Sequence, residues 1–237
     1  MSSLYLSIDI ASIAIPFLAS FHPRLKFYKK WKYLFPAMAI TTTMFIVWDI
    51  IFTYQGVWGF NDKYLIGYNL LHLPIEEWLF FLCIPYACIF SHYAIIELAP
   101  KFSLPKKWTS FITVILLLFF LTISLVNYNK LYTQVNYYFA FLILLFSYRY
   151  RYYILSKYYI TFLFMLIPFF LVNGVLTGSF IEEQIVWYNN QEYLGIRLFT
   201  IPFEDITYAF TMILSTLFFM NLFMPLDKRV VENKKGI

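Results

Sequence analysis

The chain contains few charged residues. Asp, Glu, Lys and Arg make up 13% of its 237 residues, about half of the share of about 25% that is usual in soluble domains. Apolar residues make up 61%, and a soluble domain of this size cannot bury so much apolar surface. The composition therefore predicts an integral membrane protein and excludes a disordered chain.

Several motifs that mark enzyme and cofactor classes are missing. The seven glycines form no G-x-G-x-x-G, which excludes a Rossmann dinucleotide site. No Walker loop, G-x-S-x-G, H-x-x-x-H or D-D-x-x-D occurs. The two cysteines, Cys83 and Cys88, lie in one apolar run and suit neither a disulfide framework nor a thiolate metal site. We therefore expect no cofactor, no metal and no nucleic-acid partner.

Seven apolar segments predict an all-α membrane protein with about seven transmembrane helices, because a bilayer core requires about 20 residues per helix. The first segment contains Asp9 and is followed by no cleavage site of small residues, so we expect it to be retained. No segment contains a Lys, which excludes a retinal Schiff base. The segments are 4–21, 33–53, 73–96, 108–126, 131–147, 158–178 and 201–225.

The basic residues predict the orientation. Fifteen of the 18 Lys and Arg residues fall on one side of this topology, in 22–32, 97–107, 149–157 and the tail 227–237. Only Lys63, Lys130 and Arg197 fall on the other side. By the positive-inside rule, the N-terminus is outside and the C-terminus is cytoplasmic, in a multi-pass protein that we expect in a bacterial inner membrane.

The chain also contains an internal repeat. GYNLLHLPIEEWLFF (67–81) aligns with GIRLFTIPFEDITYA (195–209), and we call the shift between these segments the motif offset. Four predicted crossings separate the copies, so the copies run in the same direction and enclose a site at their interface. The expected organisation is a first repeat (1–98), a linking helix (99–127), a second repeat (128–226) and a cytoplasmic tail (227–237).

The repeat brings forward four candidate catalytic acids. Glu76 and Glu77 align with Glu204 and Asp205, and carboxylates within apolar segments usually face a cavity and serve a function. An alternative is structural, because acids favour the first turn of a helix and the prolines before them are typical of helix starts. Glu76 and Glu204 are expected to tolerate substitution least, because both copies have Glu at this position.

Five further residues are weaker candidates for binding substrate or supporting the acids. Asp49 and Asn173 occupy corresponding places in the second and sixth segments, where a hydrogen bond between helices is the alternative role. His72, Pro74 and Pro202 lie close to the acids in sequence. Asp9 has no clear counterpart in the second repeat and is expected to be structural.

Carboxyl groups and aromatic rings in a membrane cavity suit the protonation of an apolar molecule. The chain contains 28 Phe, 21 Tyr and 6 Trp residues. A desolvated carboxyl group can act as a general acid, and aromatic faces can stabilise a carbocation. Exclusion of water protects that cation.

The segments FYKKWKYLFPA, WDIIFTYQGVWGFN, LPIEEWLFFLCIPYACIF and IPFEDITYAF resemble the integral-membrane lycopene cyclases, and both halves together resemble the fused single-chain form. The P-x-E-[ED] motif of that family maps onto 74–77 and 202–205. The resemblance implies a cofactor-independent isomerase that converts the ψ ends of lycopene into β rings, giving γ-carotene and then β-carotene. Its partners would be lycopene and membrane lipid, and the oligomeric state is left open.

Two alternatives stay open at this point. The first is a related cyclase that acts on C50 carotenoids or forms ε rings by the same acid chemistry. The second is a seven-helix carrier or proton-coupled transporter in which the acids relay protons.

Overall fold

The computed structural model describes residues 3–225. Within this range all seven predicted segments are confirmed as α-helices, with ends that differ by up to six residues from those predicted. The predicted tail 227–237 lies outside the described residues. The helices are α1 (Leu4–Ala19), α2 (Trp31–Tyr54), α3 (Ile75–Leu98), α4 (Lys106–Val126), α5 (Leu131–Tyr150), α6 (Tyr152–Leu176) and α7 (Phe203–Phe223).

Five of the helices described are long and apolar enough to span a bilayer, which indicates a membrane protein. They are α3, α4, α6, α7 and a continuous helical stretch that joins the 3-10 turn Phe27–Lys30 to α2. Helix α1 is apolar but has only 16 residues. That all seven helices cross the membrane stays a prediction.

The repeat is visible in two short β-hairpins, one before α3 and one before α7. Strands β2 (Asn69–Leu70) and β3 (Leu73–Pro74) form the first hairpin, and β5 (Arg197–Leu198) and β6 (Ile201–Pro202) form the second. Gly67 and Gly195 precede them with φ angles of 89° and 78°, a conformation that favours glycine. The aligned segments 67–81 and 195–209 therefore share one local fold.

A third pair of strands joins the two halves. Strand β1 (Trp58–Phe60) pairs antiparallel with β4 (Val186–Tyr188), and Gly59 lies opposite Trp187. The motif offset also relates Gly59 to Trp187, so this pairing relates the halves by a pseudo-two-fold axis. A Cβ on residue 59 would collide with the Trp187 indole, so glycine permits this close approach.

Helix α7 lies at the centre of the molecule. It packs against α2, α3, α5 and α6, and most of its side chains are buried. Each half also packs its first helix on its third, α1 on α3 and α5 on α7. This arrangement places the starts of α3 and α7 side by side near the pseudo-two-fold axis.

Candidate active site

The first acid of each motif holds the loop in front of its hairpin. The Ile66 backbone N–H donates to Glu76 Oε1 at 2.7 Å, and the Leu194 N–H donates to Glu204 Oε1 at the same distance. Both glutamates are fully buried. Because the motif offset relates both the donors and the acceptors, the two halves hold this loop in the same way.

The prolines of the motifs lie directly before the helices. Pro74 and Pro202 have extended ψ angles of 148° and 139°, and α3 and α7 begin at the residues that follow them. Each proline therefore lies one position before the first turn of its helix. Both still belong to their hairpins, because Pro74 pairs with Asn69 and Pro202 pairs with Arg197. Their role is to turn the chain from hairpin to helix.

The second acid of each motif points into a cavity between the halves. The Tyr5 hydroxyl donates to Glu77 Oε2 at 2.5 Å, and the Tyr132 hydroxyl donates to Asp205 Oδ1 at 2.6 Å. These tyrosines are the second residues of α1 and α5. The two acids of a motif therefore differ in placement, because only Glu77 and Asp205 line the cavity.

We call this cavity the acid pocket. Its volume is about 80 Å³, and both halves contribute to its walls. The motif offset relates several wall residues in pairs, such as Phe80 with Tyr208 and Ile84 with Met212. The residues that line the acid pocket include two further acid or amide side chains and several aromatic rings, but no Lys or Arg: Tyr5, Asp49, Trp58, Phe60, Glu77, Phe80, Ile84, Tyr132, Phe169, Asn173, Leu176, Thr177, Val186, Tyr188, Asp205, Tyr208, Ala209 and Met212.

Asp205 receives more hydrogen bonds than Glu77. Besides Tyr132, the Tyr188 hydroxyl donates to Asp205 Oδ2 at 2.9 Å, and Asn173 Nδ2 donates to the same oxygen at 3.4 Å. Burial raises the pKa of Tyr188, so its hydroxyl keeps its proton and remains a donor. The Arg197 guanidinium lies 5.8 Å from the centre of the Tyr188 ring. The surroundings of Asp205 therefore stabilise a negative charge better than those of Glu77 do.

The first half contains more buried acids than the second. Asp49 is buried and accepts a hydrogen bond from Trp58 Nε1. Asp9 is fully buried, and neither of its carboxyl oxygens has a hydrogen-bond partner among the described residues. With Glu76 and Glu77, four buried carboxyl groups lie in this half, and no basic residue is among the cavity walls.

Asp9 has a counterpart in the second repeat, contrary to expectation. Helix α1 begins at Leu4 and α5 begins at Leu131, and superposing these starts aligns Asp9 with Asn136. Asn136 is buried and donates from Nδ2 to the backbone oxygen of Glu204 at 2.7 Å. The sequence comparison missed this pair because the shift between α1 and α5 is one position shorter than the motif offset.

His72 lies apart from the acid pocket. It is exposed in the turn of the first hairpin, with a φ angle of 69°, and its ring lies 6.2 Å from that of Tyr54. Among residues 3–225, no group of three or more His, Cys, Asp or Glu side chains is arranged to hold a metal ion.

Sequence reasoning missed three tyrosines that contact the second acids, Tyr5, Tyr132 and Tyr188. A signal for two of them exists, because the pair Leu-Tyr opens both α1 and α5. Tyr188 gave no such signal, because the motif offset relates it to Phe60, which has no hydroxyl.

A comparison with protein families finds a match to the family model described as lycopene cyclase. The match covers two regions, residues 2–95 and 129–223, and leaves out residues 96–128, which contain α4. No curated protein and no solved structure gives a significant match.

Proposed function

Because the chain belongs to the lycopene cyclase family, a family of carotenoid cyclases, we propose that it converts the ψ ends of lycopene into β rings without a cofactor. One observation carries this proposal: Glu77 of the first half and Asp205 of the second line the same pocket, which is walled by aromatic rings and free of basic side chains. Such a pocket suits proton transfer to and from a hydrocarbon. The product of the first cyclisation would be γ-carotene, and that of the second β-carotene.

The proposed reaction is an isomerisation. A proton adds to C2 of the terminal double bond and leaves a tertiary cation at C1. The electrons of the C5–C6 double bond then form the C1–C6 bond, which moves the cation to C5. Loss of the C6 proton restores the double bond between C5 and C6. One proton enters and one leaves, so no oxidant or reductant is required.

We assign Glu77 as the acid. An ionised carboxylate in an apolar interior is costly, and no basic side chain lines the pocket to pair with it. Glu77 receives one hydrogen bond, from Tyr5, and shares its half with Asp9, Asp49 and Glu76. With no basic partner in the pocket, a negative charge on Glu77 would be costly, so Glu77 is suited to keep a proton and deliver it to C2.

We assign Asp205 as the base. Three donors, Tyr132, Tyr188 and Asn173, bond its two oxygens, and hydrogen bonds of this kind favour the ionised form of a carboxyl group. Arg197 adds a positive charge behind Tyr188. Asp205 is therefore suited to accept the C6 proton, and Tyr188 and Asn173 would position it.

Aromatic rings would stabilise the cation between these two steps. Trp58, Phe80 and Tyr208 line the acid pocket beside the acids. An aromatic face attracts a desolvated cation by about 2 kcal/mol or more. The largely apolar walls also keep water away, which would otherwise trap the cation as an alcohol.

The proposed function is tested by expressing the chain in cells that accumulate lycopene. We expect the red pigment to be replaced by γ-carotene and β-carotene, identified by chromatography and absorption spectra. Cells that carry the empty vector should keep lycopene. In cells that supply both lycopene and a C50 carotenoid, cyclisation of the C50 carotenoid alone would favour the C50 alternative. Formation of ε rings from lycopene would favour the ε-ring cyclase. Uptake of a solute without any pigment conversion would favour the carrier.

We also propose that all seven helices cross the membrane with the N-terminus outside. Lys63 lies before the first hairpin, whereas Lys106 begins α4 at the other end of the α3 crossing. Single cysteines at positions 63 and 106, in a background without Cys83 and Cys88, should then react with an impermeant thiol reagent from opposite sides. We expect labelling of position 63 in intact spheroplasts and of position 106 only after lysis. Labelling of both positions in intact spheroplasts would contradict this topology.

A further inference from the structure

An apolar groove continues outwards from the acid pocket between α1 and α6. We call it the α1–α6 groove. Its volume is about 490 Å³, and it is lined by residues of α1, α3, α6 and α7. Ile15 and Leu171 on its rim are 75% and 64% exposed, so the groove opens on the outer surface of the helix bundle. Five residues line both the groove and the acid pocket: Ile84, Phe169, Asn173, Ala209 and Met212.

The repeat relates this groove to a second place between α5 and α2, and that place is filled. The ring of Phe139 on α5 lies 5.6 Å from that of Phe45 and 5.9 Å from that of Trp48, both on α2. The rings of Phe45 and Trp48 each lie 5.0 Å from that of Tyr208. Helix α2 also packs closely on α7, whereas α6 packs less closely on α3.

Three side chains in the groove are smaller than their counterparts in the other half. Ser12 in the groove corresponds to Phe139, by the shift that relates Tyr5 to Tyr132. Val172 corresponds to Trp48, because Val172 directly precedes Asn173 and Trp48 directly precedes Asp49, the counterpart of Asn173.

Ala209 likewise corresponds to Phe81 by the motif offset. At all three positions the groove has the smaller residue. One half of the repeat therefore leaves a passage into the acid pocket where the other half closes it.

The two serine hydroxyls in the groove are already satisfied, and the Asn173 amide lies at its inner end, where it donates to Asp205. The Ser12 hydroxyl donates to the Ile8 backbone oxygen at 2.7 Å, and the Ser91 hydroxyl donates to that of Ala87 at 2.8 Å. No charged residue lines the groove. These walls suit an uncharged hydrocarbon chain and offer little to a hydroxylated or charged one.

We infer that the α1–α6 groove binds the linear polyene chain of the substrate while one end of that chain lies in the acid pocket. This inference rests on the proposed function. Of the two places that the repeat relates, the described residues leave only this one open. Both ends of a symmetric polyene would therefore enter by the same passage, one after the other. The singly cyclised product must leave the groove and bind again with its uncyclised end first.

The test is to close the groove with the residue that closes the related place. Ser12→Phe should lower lycopene turnover about tenfold or more, because a phenyl ring takes space that the polyene requires. Ser7→Phe is the matched control, because Ser7 is exposed on the same helix and its hydroxyl also bonds a backbone oxygen in the preceding turn. Ser7→Phe should keep wild-type turnover. Equal melting temperatures of the two variants exclude misfolding, and equal turnover by both would overturn the inference.

A second measurement does not depend on turnover and still tests the inference if Ser12→Phe fails to fold. Ser12→Cys and Ser7→Cys, each in a Cys83→Ala/Cys88→Ala background, are labelled with N-ethylmaleimide in detergent. We expect lycopene to slow labelling of Ser12→Cys severalfold and to leave Ser7→Cys unchanged. Protection without any cyclisation would support the groove and refute the proposed function. Cyclisation without protection, or protection by palmitate but not by lycopene, would overturn the groove and leave the proposed function intact.

Discussion

Glu77→Gln is expected to abolish cyclisation while the protein remains folded. The amide oxygen can still accept the hydrogen bond from Tyr5, so the start of α3 keeps its contact with α1. The amide cannot supply the proton for C2. Loss of a general acid costs about 10²–10⁴-fold in rate, and the cation forms only after this proton transfer. We therefore expect no cyclic product above background in lycopene-accumulating cells.

Asp205→Asn is expected to behave differently, which separates the two assigned roles. If Glu77 still protonates C2, the ring closes and the cation at C5 must lose a proton to another acceptor. Loss from C4 gives an ε ring, and loss from the methyl group on C5 gives an exocyclic double bond. We expect residual turnover with a changed distribution of ring types, measured by chromatography and mass spectrometry.

The pair of variants has clear contradicting results. Near-normal turnover of both, with unaltered melting temperatures, would refute carboxyl catalysis and favour a purely structural role at the helix starts. A structural role of this kind is worth about 0.3–1 kcal/mol per acid. Mixed ring types from Glu77→Gln and complete inactivity of Asp205→Asn would reverse the assignment of acid and base.

Much of the fold could be predicted because its signals are local. Apolar segments of spanning length predict helices, and Gly67 and Gly195 before Pro74 and Pro202 mark equivalent turns in both halves. The hydropathy pattern predicts that the second segment begins at 33, slightly after its observed start at Trp31, because Trp31 and Lys32 adjoin a basic loop. Hydropathy alone does not separate such a helix start from the loop before it.

The placement of the acids could not be predicted in the same way. Glu76 and Glu77 are adjacent and chemically alike, and the repeat favoured Glu76 because its counterpart is also Glu. Which carboxyl group faces the pocket depends on the hairpin, which turns Glu76 back to the Ile66 N–H and leaves Glu77 free for Tyr5. His72 is close in sequence to both acids, but it is exposed in the turn of the first hairpin and does not line the pocket.

That one side of the acid pocket is open and the related side is filled could not be predicted from the sequence either. The halves are related by three different shifts: the motif offset, a slightly shorter one for α1 and α5, and the shortest for α2 and α6. Buried positions support the last of these, since Leu34 and Thr41 in α2 match Tyr158 and Met165 in α6. Without these three alignments, the residues that close one side of the pocket cannot be matched to those that leave the other side open.

Glu204→Gln is expected to remain stable, whereas Glu204→Leu is expected to be strongly destabilised. Glu204 Oε1 accepts from the Leu194 N–H at 2.7 Å and from Thr133 Oγ1 at 2.6 Å. Its Oε2 has no hydrogen-bond partner among the described residues, so an amide nitrogen can replace Oε2 without breaking a contact. Glu204→Gln should therefore keep the fold and most of the turnover.

Glu204→Leu removes the acceptor of two hydrogen bonds, one from the buried Thr133 hydroxyl and one from the half-buried Leu194 N–H. An unsatisfied buried donor costs about 1–3 kcal/mol, so the melting temperature and the yield of folded protein should fall markedly, and turnover should fall with them. Glu76→Gln and Glu76→Leu should show the same contrast through the Ile66 N–H, with a smaller loss because one donor is involved. A fully folded but inactive Glu204→Gln would show that this carboxyl group takes part in proton transfer, and would require that the proton path include the first acid of the motif.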